Sequence, residues 1–408
     1  MVELDKKIKY ESSRRGNLRE EKPLVYDKII KLQDMERRGL PTSRIDIGYN
    51  YACNLKCDHC MAMHFDVKKR SLDLAKLRSI AEQADELGWC QFNVSGGEPL
   101  IFKDFDQILE ALMPEKFHIG ISTNGYFLTS ERARHLKSKG LDKVMVSIDS
   151  YEEKLHDAQR AKTGAYDKAM NAIFYARDAG LDVVLQHVVS HQNCRTENTV
   201  NLAKFATENS FSLDIVLAKA IGQWEGRHDI LIDKKDADFL VDLNKEYPAA
   251  RRNTFSTYGH KAGCGALKGC FHISQFGDVF PCVFMHFTIG NLFEDSLKTI
   301  VDRGMQIKHF KNFAPTCLTG ENKNWVKKYM SRFYNKPLPV DYREIFLEEK
   351  DFVYSKNLDP QVAEHIEDLS KRNGNSSSSD SQAQNLNSIS ADSANSSLSR
   401  SSSCSSCN

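Results

Sequence analysis

The sequence predicts an α/β protein built on a parallel sheet, and three observations carry that prediction. From about residue 44, β-prone runs alternate with segments of helical period, as βαβ units do. Gly88, Gly140 and Gly180 each stand between a helical segment and the next β-prone run, where a glycine C-cap belongs. The chemically unusual residues fall at the C-terminal ends of the strand candidates, where parallel sheets collect ligands. The alternation alone leaves an open sheet and a curled barrel equally allowed.

Residues 1–43 are charged and weakly periodic. Within them Tyr26–Arg38 reads as one amphipathic helix, with Ile29, Ile30, Leu32 and Met35 on or near one face. The segment is expected to be a surface extension, too short for a separate peptide-binding domain. The core, residues 44–235, offers strands at Ile45–Tyr49, Gln91–Ser95, Phe117–Thr123, Lys143–Ser147, Val183–Val189 and Leu213–Ala218. Helical patterns lie between them at Leu74–Leu87, Phe105–Leu112, Ser130–Lys139, Tyr166–Ala179 and Thr199–Asn209. Glycine and cysteine then cluster over residues 236–330. Residues 331–372 are charged, with helix-like pieces at Asp341–Lys350 and Pro360–Ser370. Residues 373–408 are rich in Ser and Asn; so few apolar side chains cannot offset the entropy of ordering, and a disordered tail is expected.

Composition bounds the function. The 408 residues, 41% hydrophobic and 27% charged, suffice for one large domain and a smaller one. A net charge of +1 leaves no electrostatic footprint for a nucleic acid. No run approaches the ~20 apolar residues of a membrane span, and Met1–Lys7 lacks the apolar stretch of a secretory signal. A cytoplasmic protein is expected, without membrane or nucleic-acid partners. Eleven cysteines in a reducing compartment point to metal binding rather than disulfides.

The densest chemistry is Cys53-Asn54-Leu55-Lys56-Cys57-Asp58-His59-Cys60, just after the first strand. Three thiolates at this spacing suit iron–sulfur clusters or zinc. Zinc would take a fourth ligand, and His59 and His64 both lie near enough to serve. Ser95-Gly96-Gly97-Glu98-Pro99 follows the second strand. Paired glycines let the backbone approach a ligand, and Glu98 offers an acceptor for an ammonium group. Together the two stretches resemble the radical S-adenosylmethionine (radical SAM) enzymes.

That resemblance covers residues 44–318 and implies a partial (β/α)6 TIM-like barrel with a smaller C-terminal auxiliary-cluster subdomain. It makes Cys53, Cys57 and Cys60 ligands of a [4Fe–4S] cluster whose fourth iron is open to the amino and carboxylate groups of S-adenosylmethionine. It places His59 near the adenine, with Leu55 and Lys56 in the loop. Gly96, Gly97 and Glu98 would border the methionine amino group. Ser122-Thr123-Asn124-Gly125 and Val146-Ser147-Ile148-Asp149-Ser150 resemble further family segments, so Ser122, Asn124 and Ser147 are read as cofactor contacts. Asp149 reads equally as a substrate contact or a helix N-cap. Val188, Val189 and Asn193 are candidates for bordering adenine. His156, Arg160, Trp224, Glu225 and Arg227 are candidates for the pocket on position.

Cys264, Cys270, Cys282 and Cys317 resemble the SPASM or shorter twitch extension of such enzymes, and imply one fully ligated auxiliary [4Fe–4S] cluster. A four-cysteine zinc site is the alternative. No C-x-x-C-x-x-x-x-x-C run follows for a second auxiliary cluster. Cys90 and Cys194 read as small buried hydrophobes, Cys404 and Cys407 as a solvated pair in the tail, and His187, His191, His260, His272 and His286 as structural histidines.

The resemblance implies reductive cleavage of S-adenosylmethionine to a 5′-deoxyadenosyl radical, which takes a hydrogen atom from substrate. The auxiliary cluster fits a net oxidation or a cross-link. A small metabolite is the expected substrate, with maturation of a ribosomal peptide as the alternative. A flavodoxin- or ferredoxin-type protein would donate the electron. From another class, a non-catalytic iron–sulfur or zinc protein would need neither Gly96-Gly97-Glu98 nor Asn124.

Overall fold

Six strands run parallel through the first half of the chain: β1 (Arg44–Asn50), β2 (Gln91–Gly96), β3 (His118–Thr123), β4 (Lys143–Ser147), β5 (Asp182–Val189) and β6 (Ser212–Leu217). The computed structural model describes residues 18–38, 40–41, 44–62, 65, 70–252 and 263–372. His64, His260, Cys404, Cys407 and the expected tail lie outside them. Residues up to Asp359 form one compact unit and those from Pro360 a second, whose described part is a single helix over 360–372.

Each strand returns through a helix: α2 (Leu74–Glu86), α3 (Phe105–Ala111), α4 (Ser130–Ser138), the pair α5 (Glu153–Arg160) and α6 (Ala165–Asp178), then α7 (Glu197–Glu208). Local chemistry sets their ends. Asp73 accepts from Lys76 N–H at 2.7 Å and Thr129 from Arg132 N–H at 3.1 Å, satisfying donors that a first turn leaves open. Gly88, Gly140 and Gly180 close α2, α4 and α6 at positive φ (74°, 92° and 77°), as their placement predicts. The helices bury the outward strand residues Phe92, Ile119, Ile121, Val144, Val146 and Leu185, each worth about 2 kcal/mol of removed apolar area.

Sheet order is β11-β9-β8-β1-β2-β3-β4-β5-β6-β7. Here α8 (Lys234–Glu246) leads to β7 (Ala250–Arg252), parallel to β6. Next come β8 (Cys270–Ile273), parallel to β1, β9 (Asp278–Phe280), and β11 (Gly290–Asn291) beyond the short β10 (Phe287–Thr288). The barrel is therefore partial, and the cysteine-rich region extends its sheet through β8. On the other edge, Arg252 of β7 pairs with Glu321 at 2.9 Å, and Gly320 lies close against Leu217. The segment after Cys317 thus reaches the edge opposite β8.

The N-terminal extension carries an amphipathic helix, α1 (Pro23–Arg37), whose apolar face packs down: Val25, Ile29 and Leu32 are buried. Lys22 Nζ donates to Gly140 O at 2.9 Å and to Asp142 at 2.6 Å, and Lys28 Nζ to Asp85 at 2.5 Å. These bonds fasten α1 over the N-terminal ends of β3 and β4. Asp341–Lys350 is not a helix. Val340–Asp341 pairs with β10, and tight turns at Tyr342–Glu344 and Glu349–Asp351 follow. Tyr342, Ile345 and Phe346 are all fully buried, so their helical spacing reflects packed turns.

Candidate functional site

After β1 the chain enters the three-cysteine loop, which is held from inside and outside. Cys60 N–H donates to Cys57 O at 3.1 Å, Asp58 N–H to Gln159 O of α5 at 3.1 Å, and Gln223 N–H to Cys60 O at 3.0 Å. Cys53 is exposed, Cys57 and Cys60 half-buried. Burial pushes the Cys53 and Cys60 thiols up, and the neighbouring thiols push them further. Thiols raised in this way resist ionising unless a cation is bound beside them, and that holds for Cys53 and Cys60.

The Gly96–Gly97 pair makes a close approach, but to the chain itself. Gly97 N–H donates to Asn50 O and Glu98 N–H to Ala52 O, both at 2.9 Å. A Cβ on Gly97 would meet Ala52 O at 1.9 Å, and one on Gly96 (φ 110°) would meet Asn50 O at 2.4 Å. The pair clamps the base of the cysteine loop to the end of β2. The Glu98 side chain, expected as an acceptor for an ammonium, is only 1% exposed. Its carboxylate accepts from Thr123 Oγ1 at 2.7 Å, Asn124 N–H at 2.7 Å and Leu100 N–H at 3.1 Å. Those three donors tie β2 to the end of β3 through it.

Asn124 reaches back to the loop, donating from Nδ2 to Asn54 Oδ1 at 2.8 Å, with Cys53 Sγ at 3.9 Å. Ser122 Oγ accepts from Asn93 Nδ2 at 3.2 Å. Asn93 belongs to an inward network around Asp46, which accepts from Asn93 at 2.5 Å and Ser95 Oγ at 2.7 Å and meets His272 Nδ1 at 2.7 Å. Ser147, the last residue of β4, is half-buried.

Two residues beyond, Asp149 is buried and ion-paired to Arg160 of α5 at 2.7 Å, and Arg160 Nη1 lies 3.6 Å from Cys57 Sγ. His59 stands 3.7 Å from Asp149 and 5.7 Å, ring to ring, from Trp224. A cavity of about 230 Å³ opens beside them, lined by His59, Asp149, Val188, Asn193, Trp224 and Arg227 among others. His156 accepts Asp149 N–H at 3.1 Å, so Asp149 is held by its backbone as well. Glu225 instead accepts Asn335 N–H at 2.8 Å, and Val189 is fully buried outside the cavity lining.

Cys264, Cys270, Cys282 and Cys317 lie in the region after β7. Cys264 N–H and Ala314 O bond at 2.7 Å, which brings Cys264 alongside Cys317, and the two thiols are hydrogen-bonded. Cys270 and Cys282 are half-buried; Cys317 pushes both thiols up, and Cys270 adds to the rise at Cys282. Burial is the first cause of the rise at both. A tetrahedral zinc with Zn–S of about 2.3 Å would hold its thiolates about 3.8 Å apart. Among the described residues no three thiols lie within 4.8 Å of one another; His191, Asp233 and Asp236, at the start of α8, meet that limit.

Residues 49–203 match the model of the radical SAM superfamily, and residues 264–323 that of the SPASM iron–sulfur cluster-binding domain. The chain belongs to the radical SAM superfamily and carries a SPASM extension. Iron–sulfur clusters and S-adenosylmethionine are therefore its cofactors. This radical SAM chain is 27% identical over 266 residues to the mycofactocin maturase MftC of Mycolicibacterium smegmatis, covering 60% of this chain and 66% of that one. It is 24% identical over 307 residues to the AdoMet-dependent heme synthase of Nitratidesulfovibrio vulgaris, covering 67% and 82%. The match thus spans just under two thirds of the maturase's length. Streptococcus suis SuiB, solved with S-adenosylmethionine bound, shares the fold at a TM-score of 0.51 and 20% identity, over 66% of this chain and 67% of SuiB. No helix among the described residues is long and apolar enough to cross a membrane.

Several site residues of this radical SAM chain escape motif reading: Asn54, Asp46, Asn93 and Gln159. Asp46 and Asn93 leave one signal, a polar residue at an inward position of an otherwise apolar strand. His187 bonds Thr199 at 3.0 Å and His191 meets Asp236 at 2.6 Å, as structural histidines do. Cys90 and Cys194 are fully buried.

Proposed function

We propose that this chain reductively cleaves S-adenosylmethionine and uses the radical to oxidise or rearrange a small metabolite. Cys53, Cys57 and Cys60 would hold the [4Fe–4S] cluster with the open iron. Cys264, Cys270, Cys282 and Cys317 would hold the auxiliary [4Fe–4S] cluster. When bound, the first cluster supplies the electron that splits the sulfonium into methionine and a 5′-deoxyadenosyl radical.

The protein's share is positioning. Gly96, Gly97 and the Glu98 backbone would border the methionine end, fixed by their bonds to Asn50 and Ala52. The Glu98 carboxylate acts through Asn124, whose side chain reaches the cysteine loop. Ser122 and Ser147 would contact ribose or carboxylate from the ends of β3 and β4. The cavity beside His59 would take the adenosine, with Val188 and Asn193 from β5 and the loop after it. Arg160 is held by Asp149 against the cluster side of that cavity, where it serves as the buried cation. The auxiliary cluster would accept an electron from the substrate radical, which makes the reaction a net oxidation, and a flavodoxin- or ferredoxin-type protein would reduce the first.

The observation that supports this most is the joining of three elements at one barrel mouth: the three-thiol loop, the glycine pair clamping it, and the cavity beside His59. Peptide maturation is the second reading, favoured by the likeness to the mycofactocin maturase. The test is 5′-deoxyadenosine formation by anaerobically reconstituted, reduced protein beside Cys57→Ala. Product from wild type alone is expected; product from both, or from neither in the presence of a metabolite or peptide extract, contradicts the proposal.

A further inference from the structure

Lys219 is a buried charge that the site described above does not use. It lies two residues past the end of β6 and is 5% exposed. Its Nζ donates to Leu217 O and sits 4.2 Å from the centre of the Phe284 ring. Among the described residues no carboxylate pairs with it. A carbonyl and a ring face leave most of the desolvation cost of an ammonium unmet, so a buried lysine in this position calls for an anion.

The nearest candidate anion is the second cysteine set. Phe284 stands two residues after Cys282, and its N–H is donated to that thiol. Gly320, three residues after Cys317, lies 3.4 Å from the carbonyl of Ala218 if a Cβ is placed on it. Lys268, the other buried lysine here, is bound to Lys311 O at 2.6 Å and faces the Phe313 ring at 5.2 Å.

We propose that Lys219 is the counter-charge of the auxiliary cluster and raises its reduction potential. The inference rests on the assignment of Cys264, Cys270, Cys282 and Cys317 to that cluster. A cubane with four thiolate ligands is an anion, and taking up one electron makes it more negative. A fixed ammonium in a low-dielectric surround stabilises the reduced form more than the oxidised form. The cluster is thereby a better acceptor for a single electron leaving the substrate radical, and no proton need accompany it. Lys219 is a positioning and electrostatic residue, with no contact to substrate required.

The test is a potentiometric titration, followed by electron paramagnetic resonance, of the full reconstituted chain. The signal to follow is the one that persists in Cys57→Ala. Lys219→Met and Lys219→Gln should make reduction at least tenfold less favourable, a fall of about 59 mV for one electron, while Lys219→Arg keeps the wild-type potential. Failure of both neutral variants to load this cluster, with Lys219→Arg loading fully, supports the same conclusion. An unchanged potential in the neutral variants overturns it, as does loss of the cluster in Lys219→Arg. If wild type itself, fully loaded with iron, shows no signal that survives Cys57→Ala, the auxiliary-cluster assignment fails and this inference with it.

Discussion

Asp149 Oδ2 and Arg160 Nη2 form an ion pair of 2.7 Å between side chains only 1% and 8% exposed, and the other arm of Arg160 points at Cys57 Sγ. Burial pushes the Asp149 carboxyl up, but Arg160 and the nearby His59, His156 and His187 outweigh it and hold the pKa at about 2. The pair connects the end of β4, α5 and the cysteine loop in one contact. Removing one partner strands a buried charge, a loss of about 3–5 kcal/mol. Asp149→Asn and Arg160→Met should each cost that much in denaturant unfolding. The double variant Asp149→Leu/Arg160→Met should cost clearly less than the sum; strict additivity would show that the two do not act as a pair.

Gly97 is predicted to tolerate no side chain. Gly97→Ala drives a Cβ to 1.9 Å from Ala52 O, and the clash is with backbone, which has nowhere to move without displacing the loop. The comparison is Gly88→Ala: that glycine also has special geometry (φ 74°), but nothing lies within 4 Å of its added Cβ. Gly88→Ala should cost about 1 kcal/mol in stability and leave S-adenosylmethionine affinity intact. Gly97→Ala should abolish detectable binding by calorimetry while the auxiliary cluster still loads.

Glu98→Gln tests whether this residue works through Asn124. The amide nitrogen would face either Asn124 N–H or the pair Thr123 Oγ1 and Leu100 N–H, donor against donor in a buried site. A loss of about 1–3 kcal/mol is expected, with S-adenosylmethionine affinity falling about tenfold or more. Asn124→Ala should weaken binding similarly, and adding it to Glu98→Gln should weaken it little further.

His187 gives the fold a pH dependence. Burial pushes its pKa down to about 4, despite the attraction of Asp149. Above the unfolded value of about 6.5 both states are neutral and its contribution is fully present. As pH falls below that, the unfolded imidazole takes a proton that the folded one refuses, so stability declines until about pH 4, by up to about 3 kcal/mol. Urea unfolding between pH 7 and 4.5 should show the decline, reduced in His187→Asn.

The β/α order was legible because each strand run is short and largely apolar and three of the intervening helices end in a glycine cap, so the six strands fall within a residue or two of where the pattern puts them. The cysteine loop and the glycine pair were legible as motifs, though the glycines' partner proved to be Asn50–Ala52 rather than open space. What the sequence hid was long-range. Nothing local says that β8 joins β1, that Lys22 and Lys28 grip the strand starts, or that Arg252 meets Glu321 across the open edge. Asp46, Asn93 and His272 form one network only after three distant strands align. Tyr342–Phe346 misled because burial in tight turns produces the same spacing as a helix face.

Two cysteine sets holding two separate iron–sulfur clusters would show in a metal count. Wild type, Cys57→Ala and Cys282→Ala would be reconstituted anaerobically and analysed for iron, sulfide and zinc per chain. About eight irons are expected in wild type and about four in each variant, with zinc near zero throughout. About four irons in wild type, unchanged in Cys282→Ala, or zinc bound in place of iron, would contradict it.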